Sequence, residues 1–303
     1  MKPVFVINAL SETVAAKGSR LDDLPAELSS AVFKSSIFDS LDDIVTAGMA
    51  AGWVIIEGGD GTAQGVISAF LNRVSDSDSM PKFTLLPGGM TNQVAKNIGH
   101  ISKKRGAITT LLAGQNQKSL RIPLVKISAK GYPDQFGFLF SSGGVPMITK
   151  YTKAKIHSKG IGGSMAVLAG ILKGVSGKDS TVLTPSQIRL TINDNFQRDE
   201  SHLGTLVTTL PSIMLGLDPF WGRNSDDALR ITYVRKDPKH LARHVAGLWM
   251  GRKQLDRSRD GLHSWRAKTL DYDYDGPIVL DGEPLDMGPF FQITHTQAVT
   301  FLR

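Results

Sequence analysis

The chain contains no cysteine. Disulfides and thiolate-held metals are therefore excluded, and a reducing compartment is allowed but not proved. Long apolar runs are missing as well. No stretch reaches the roughly 18 unbroken apolar residues that a spanning helix needs, so no transmembrane helix is expected. The nearest run, "IGGSMAVLAGIL" at 161–172, is short and glycine-rich. The opening "MKPVFVINAL" has one charge and a brief apolar stretch. It reads as a first β-strand and not as a signal peptide. Zinc-finger spacing and RNP-type aromatic stretches are absent, so no nucleic-acid partner is expected. The seven histidines show no ligand spacing. Internal repeats and low-complexity tracts are absent too.

What is present is a chain of 303 residues, 41% of them hydrophobic. That is enough for a sizeable core, and the length favours two domains over one. The formal net charge is +7. A basic chain attracts polyanions, among them nucleotide phosphates and anionic lipid headgroups.

The texture changes along the chain. In the first third, strand and helix patterns alternate: "PVFVINA", then "SLDDIVTAGMAAG", "WVIIEGG", "TAQGVISAFLNRV", "KFTLLPGG" and "TNQVAKNIG". Such alternation predicts an α/β fold with a Rossmann-like parallel sheet covered by helices. After about Leu120, period-two strands separated by turn residues dominate, among them "SLRIPLVKISA", "QFGFLFSSG", "SQIRLTIND", "LRITYVR" and "FQITHTQAVTFLR". They predict a β-rich, antiparallel sandwich. The expected division is an α/β domain over 1–121 and a β-rich domain over 122–294. Helical insertions are expected at 148–175 and 238–257.

Two predicted strand ends are glycine-rich: Gly58-Gly59-Asp60-Gly61-Thr62 and Pro87-Gly88-Gly89-Met90-Thr91-Asn92. In open α/β sheets, ligands sit beyond the carboxyl ends of the strands. Free backbone N–H groups at the start of a helix favour phosphate there. Asp60 would repel that phosphate unless a cation bridges the two, and Mg²⁺ held by a carboxylate and phosphate oxygens resolves the conflict. The plainer alternative is a tight turn in which Asp60 caps the next helix.

The motifs, in their order, resemble the diacylglycerol kinase catalytic family, which includes bacterial lipid kinases, sphingosine kinases and ceramide kinases. The residues that carry the resemblance are "GGDGT" at 58–62, "PGGMTNQVAK" at 87–96, "DDA" at 226–228 and "DGE" at 281–283. There are departures. Met90, Thr91 and Gln93 stand where the family has Thr, Gly and Asp, and Ala228 replaces a Gly. The first strand ends "NALS" in place of Asn-Pro-x-Ser. Asn92 and Ala95 are kept, and Lys96 replaces Arg.

The resemblance implies ATP and Mg²⁺ as cofactors, with the nucleotide in the first domain and a lipid alcohol in the second. Asp60 would organise the Mg²⁺. Gly58, Gly59, Gly61, Thr62, Gly89, Thr91 and Asn92 would contact the nucleotide, with Asn8 and Ser36 lining the same pocket. Asp281 or Glu283 would accept the lipid hydroxyl proton, with Asp281 the narrow favourite. Asp227, joined by the carbonyl of Leu229, matches a structural Mg²⁺ site. Residues 295–303 would return as a strand to the first domain.

"LDGEPL" also reads as a plain hairpin, since Asp-Gly between apolar strands is a strong turn signal. Asp281 and Glu283 would share a face on an extended segment, whereas a tight turn at Gly282 would splay them. Residues 236–259 form a basic, amphipathic helix candidate that suits either an anionic membrane surface or the core. Residues 150–174 are a second candidate for meeting lipid, or a buried helix pair.

The expected protein is thus a lipid kinase in the cytoplasm, peripherally bound to the inner, anionic face of a membrane. A homodimer is compatible with the sequence, though no motif selects it. The rivals are an NAD kinase, which shares GGDGT but leaves the late DGE unexplained, and a non-catalytic lipid- or nucleotide-binding relative.

Overall fold

The computed structural model describes residues 2–22, 24–34, 37–74, 80–89, 92–98, 106–115, 117–144, 184–213, 218–250 and 257–303. They fall into two compact units: Met1–Pro123 with Gln297–Arg303, and Leu124–Thr296.

The first unit is built on a parallel sheet. Strands β1 (Val4–Ile7), β2 (Ala31–Lys34), β3 (Trp53–Gly58) and β4 (Lys82–Pro87) lie in the order β2-β1-β3-β4. The chain's last strand, β17 (Val299–Leu302), runs parallel beside β4, and β5 (Ser119–Ile122) closes the edge antiparallel to it. Every residue of β1 and β3 is buried. Strands covered on both faces read as unbroken apolar runs and not as alternation. Thr84 in β4 is a buried exception with both bonds filled: it accepts from Trp53 Nε1 at 3.1 Å and donates to the Leu302 carbonyl at 3.1 Å. One side chain thereby ties together β3, β4 and β17.

Helices α1 (Glu12–Lys17), α2 (Leu41–Ala51), α3 (Asp60–Arg73), α4 (Gln93–Ile98) and α5 (Ala107–Leu112) belong to this unit. Gly52, at φ 68°, ends α2. α3 buries Ala63, Val66, Ile67 and Phe70, and the Phe70 ring meets that of Phe83 edge-on at 5.3 Å.

The second unit holds β6 (Val125–Ser128), β7 (Gln135–Gly137), β8 (Leu139–Gly143), β9 (Ser186–Ile192), β10 (Phe196–Thr208), β11 (Leu229–Arg235), β12 (Leu262–Ala267), β13 (Leu270–Asp273), β14 (Ile278–Leu280), β15 (Glu283–Leu285) and β16 (Phe290–His295). All pairings among them are antiparallel. β10 organises them. Its first half pairs with β9, its register shifts between His202 and Gly204, and its second half pairs with β8 and β11.

A strand that bends this way lets one sheet become two layers. The packing shows that it does. Phe140 on β8 meets Tyr272 on β13 at 5.4 Å and Phe291 on β16 at 5.9 Å between ring centroids. Along the sheet path, β8 and β13 are separated by β10 and β9. In a flat sheet with strands about 4.8 Å apart they would be far out of contact. The sheet folds over its own core of Ile188, Leu190, Val207, Ile231, Leu270 and Ile293, among others.

The single strand expected over 119–129 is split at Pro123, which has no N–H to give a ladder. Its halves become β5 in one unit and β6 in the other. Of the expected helix at 238–257, Leu241–Trp249 is helical (α6) and 251–256 lie outside the described residues. The insertion expected at 148–175 lies wholly outside them. No helix among the described residues is long and apolar enough to cross a membrane.

Candidate active site

β3 and β4 are parallel neighbours, and their last residues, Gly58 and Pro87, are register partners. The two glycine turns therefore leave the sheet side by side. The Gly88 N–H donates to the Gly58 carbonyl at 2.8 Å. A Cβ on Gly89 would stand 2.6 Å from Gly59 Cα, and one on Gly88 would stand 3.0 Å from Gly58 Cα. At these positions the backbones touch, and any larger residue would push the turns apart. Gly61 differs: a Cβ there would meet nothing within 4 Å. The protein's own packing makes no use of that bare position.

Asp60 opens α3, but it does not cap α3. The N-cap is Gly59, which offers no side chain. Asp60 instead reaches across to the second turn, where its Oδ2 accepts the Gln93 N–H and its Oδ1 the Val94 N–H, each at 2.9 Å. Those two N–H groups begin α4, so the carboxylate satisfies donors that a helix start leaves open. The capping alternative is thus realised on the neighbouring helix.

Asn92 holds the second turn closed. It sits at φ 48°, and its side chain bonds reciprocally to Gly89, accepting the N–H at 2.9 Å and donating to the carbonyl. Asn8, just past β1, donates to Thr62 Oγ1 at 2.8 Å. A small recess at the strand ends is lined by Gly58, Gly59, Asp60, Ala63, Asn92 and Val94. Of the expected nucleotide residues, Asn8, Gly58, Gly59, Asp60, Gly61, Thr62, Gly89 and Asn92 gather around these turns. Ser36 and Thr91 lie outside the described residues, as does Met90 of the second turn.

Beneath the turns is a feature that the motif reading missed. Glu57, only 2% exposed, pairs with Arg20 Nε at 2.9 Å. The Ser19 hydroxyl and the Arg20 backbone N–H also donate to it. The signal was one acid at the end of the apolar run "WVIIEGG".

Mg²⁺ takes hard oxygen ligands, commonly one or two carboxylates with substrate phosphates and water. Asp60 supplies such a carboxylate. A carboxylate offers about four lone-pair sites and can take a cation beside backbone donors, so the residues would fit a metal–nucleotide. Among the described residues, no group of three His, Cys, Asp or Glu forms a metal cage by itself.

In the second unit, Asp281 and Gly282 are the two turn residues between β14 and β15, with φ of 51° and 90°. Two positive values mark the type I′ hairpin that Asp-Gly favours. The extended arrangement that would put Asp281 and Glu283 on one face is therefore absent, and the turn splays them. The Asp281 carboxylate accepts the backbone N–H of Phe138 at 3.0 Å and of Leu139 at 2.8 Å, and its own N–H donates to the Leu139 carbonyl at 2.9 Å. It pins the break between β7 and β8. Glu283 begins β15 and is exposed. Asp227 accepts from Ser225 Oγ at 2.8 Å, and its carbonyl accepts from Arg266 at 3.0 Å. Leu229 is fully buried as the first residue of β11.

The chain thus holds a parallel α/β unit that takes a strand from the chain's end, and an antiparallel β-rich unit. The crystal structure of a diacylglycerol kinase from Bacillus anthracis str. Sterne matches with a TM-score of 0.63 at 14% identity, over 99% of this chain and 96% of that one. An NAD kinase from Archaeoglobus fulgidus in complex with ATP matches with a TM-score of 0.50 at 11% identity, over 99% of this chain and 93% of that one. Residues 24–122 match the family model of the diacylglycerol kinase catalytic domain, so the resemblance read from the motifs holds for that segment. No curated protein matches the chain.

Proposed function

We propose that this protein is an ATP- and Mg²⁺-dependent lipid kinase that phosphorylates the hydroxyl of a membrane lipid: diacylglycerol, ceramide or a sphingoid base. The observation that carries this reading is the pair of abutting glycine turns at neighbouring parallel strand ends, with Asp60 tied between them. Phosphoryl transfer needs aligned oxygens and neutralised charge more than covalent help. Backbone N–H groups at the start of α3 would cradle the phosphates, Thr62 and Asn8 would orient them, and open space at Gly61 would admit them. Bound Mg²⁺ would neutralise charge on the phosphate oxygens through Asp60.

In the transfer, the lipid hydroxyl oxygen bonds to the γ-phosphorus, the bond to ADP breaks, and the hydroxyl proton passes to a carboxylate. Glu283 is exposed at the start of β15, which supports it as the acceptor, with Asp281, bonded to Phe138 and Leu139, as the residue that shapes the hairpin. Asp227 and the Leu229 carbonyl remain our candidates for a structural Mg²⁺ site. The net charge of +7 supports peripheral attachment to an anionic surface.

The similarity to an NAD kinase keeps a second reading, phosphorylation of a small soluble alcohol. Equilibrium nucleotide binding with and without Mg²⁺ tests the shared part of both readings. Tight ATP binding that needs Mg²⁺ is expected, and ATP binding indifferent to Mg²⁺ contradicts it.

A further inference from the structure

Arg20 occupies a position that the motifs do not account for. It follows α1 in the chain and sends its guanidinium beneath both glycine turns. Its Nε meets Glu57 Oε1 at 2.9 Å, and a terminal nitrogen donates to the Pro87 carbonyl at 3.2 Å. Glu57 immediately precedes Gly58, and Pro87 immediately precedes Gly88. One planar side chain therefore grips the last residue before each turn.

We infer that Arg20 is a positioning residue that sets the spacing of the two turns, and hence the place of the phosphate-binding N–H groups at the start of α3 against the second turn. The inference rests on the proposed nucleotide site. A guanidinium holds two acceptors in a fixed fork, whereas an ammonium is a point charge on a flexible stem. The same stretch of chain grips the second turn again, since the Thr13 N–H donates to the Gly88 carbonyl at 2.8 Å. The β3–β4 ladder runs only to Gly58 and Pro87. Arg20 grips the end of that ladder, at Glu57 and Pro87, and the Gly88 N–H on the Gly58 carbonyl carries the link into the turns. Glu57 is buried, so its charge is held by Arg20 and by the donors of Ser19 and Arg20 and is not freely solvated.

The test is Arg20→Lys, read by hydrogen exchange. The amides of both turns, 58–62 and 88–94, should exchange about tenfold faster together, the change that about 1.4 kcal/mol makes. The interior amides of β3 and β4 should keep their protection. Acceleration in one turn alone, or in neither, overturns the inference. Should the lysine variant fail to fold, the paired change Arg20→Met with Glu57→Leu removes both charges without leaving one buried alone. The same joint acceleration is expected, and wild-type exchange in that pair overturns the inference.

In either variant, ATP affinity should fall about tenfold while the KM for lipid stays unchanged. A loss in lipid KM alone counts against positioning of the nucleotide. If the wild type binds no ATP, the proposed function fails, and the exchange result still decides whether Arg20 spaces the turns.

Discussion

The carboxylate of Asp60 accepts the backbone N–H of Val94 at 2.9 Å, so the first residue of α3 holds the first turn of α4. Two βα units are joined by one side chain. A residue that is a metal ligand in the proposed chemistry is therefore also a helix cap, and its substitution has two effects that must be separated.

Asp60→Ala leaves the Gln93 and Val94 N–H groups without their acceptor. Loss of such a cap typically lowers stability by about 0.5–2 kcal/mol. Asp60→Asn keeps one acceptor oxygen and should lower stability less. Both should abolish Mg²⁺-dependent nucleotide binding. Thermal melting beside nucleotide titration checks this, and an asparagine variant with wild-type Mg²⁺-dependent affinity would remove Asp60 from the metal site.

Gly61→Ala should separate stability from activity in the opposite direction. The added methyl meets no protein atom within 4 Å. Alanine is favoured over glycine within a helix by up to about 1 kcal/mol, and less in the first turn. The variant should melt no lower than wild type. Its methyl would enter the space proposed for phosphate, so ATP affinity should fall about tenfold or more. Unchanged affinity would mean that Gly61 faces no ligand.

The two carboxylates of the DGE stretch should behave differently. Asp281→Asn disturbs the bonds to Phe138 and Leu139 and should destabilise the protein by about 1–3 kcal/mol, the range for unmet backbone donors. Glu283 is exposed, so Glu283→Gln should move the melting temperature little. Its lipid phosphorylation should drop by about 10²–10⁴-fold, the usual loss with a general base. Full turnover in Glu283→Gln would refute that assignment.

A pH dependence is expected from the second unit's core. His202 is buried, its ring stacked on Tyr233 at 5.6 Å. Its Nδ1 lies 3.0 Å from the Ser186 carbonyl and must carry the proton, so Nε2 accepts from the Ser142 hydroxyl at 3.3 Å. Burial lowers its pKa below the ordinary 6.5, although the Ser186 carbonyl and the Glu200 charge pull it up. A histidine kept neutral by the fold contributes full stability above its unfolded pKa and loses it as pH falls below that value. Each unit of depression amounts to about 1.4 kcal/mol. Wild-type stability should fall as pH drops below 6.5, and His202→Gln should show a shallower fall in urea titrations. Equal slopes would contradict this.

Much of the first unit was legible because parallel strands and their glycine turns leave continuous local patterns. "WVIIEGG" and "KFTLLPGG" each became a strand and a turn where expected. The first half of β10 was not legible, since "FQRDESHL" is polar. Its side chains are held by cross-strand pairs such as Arg189–Asp199 at 3.0 Å, which only the pairing with β9 creates. The Arg20–Glu57 pair joins residues 37 apart in the chain, and no local pattern announces it. The bonds of Asp281 to residues 143 and 142 positions away were likewise out of reach. The Asp-Gly hairpin itself was plain, but what its carboxylate holds was not.

Transfer of labelled γ-phosphate from ATP tests the central claim most directly. The protein would be given Mg²⁺, a panel of lipid alcohols in mixed micelles and, in parallel, NAD. The account predicts that label appears in a lipid, that it is lost in Asp60→Asn and Glu283→Gln, and that NAD stays unlabelled. Label in NAD with none in any lipid, or no transfer at all despite Mg²⁺-dependent ATP binding, would contradict it.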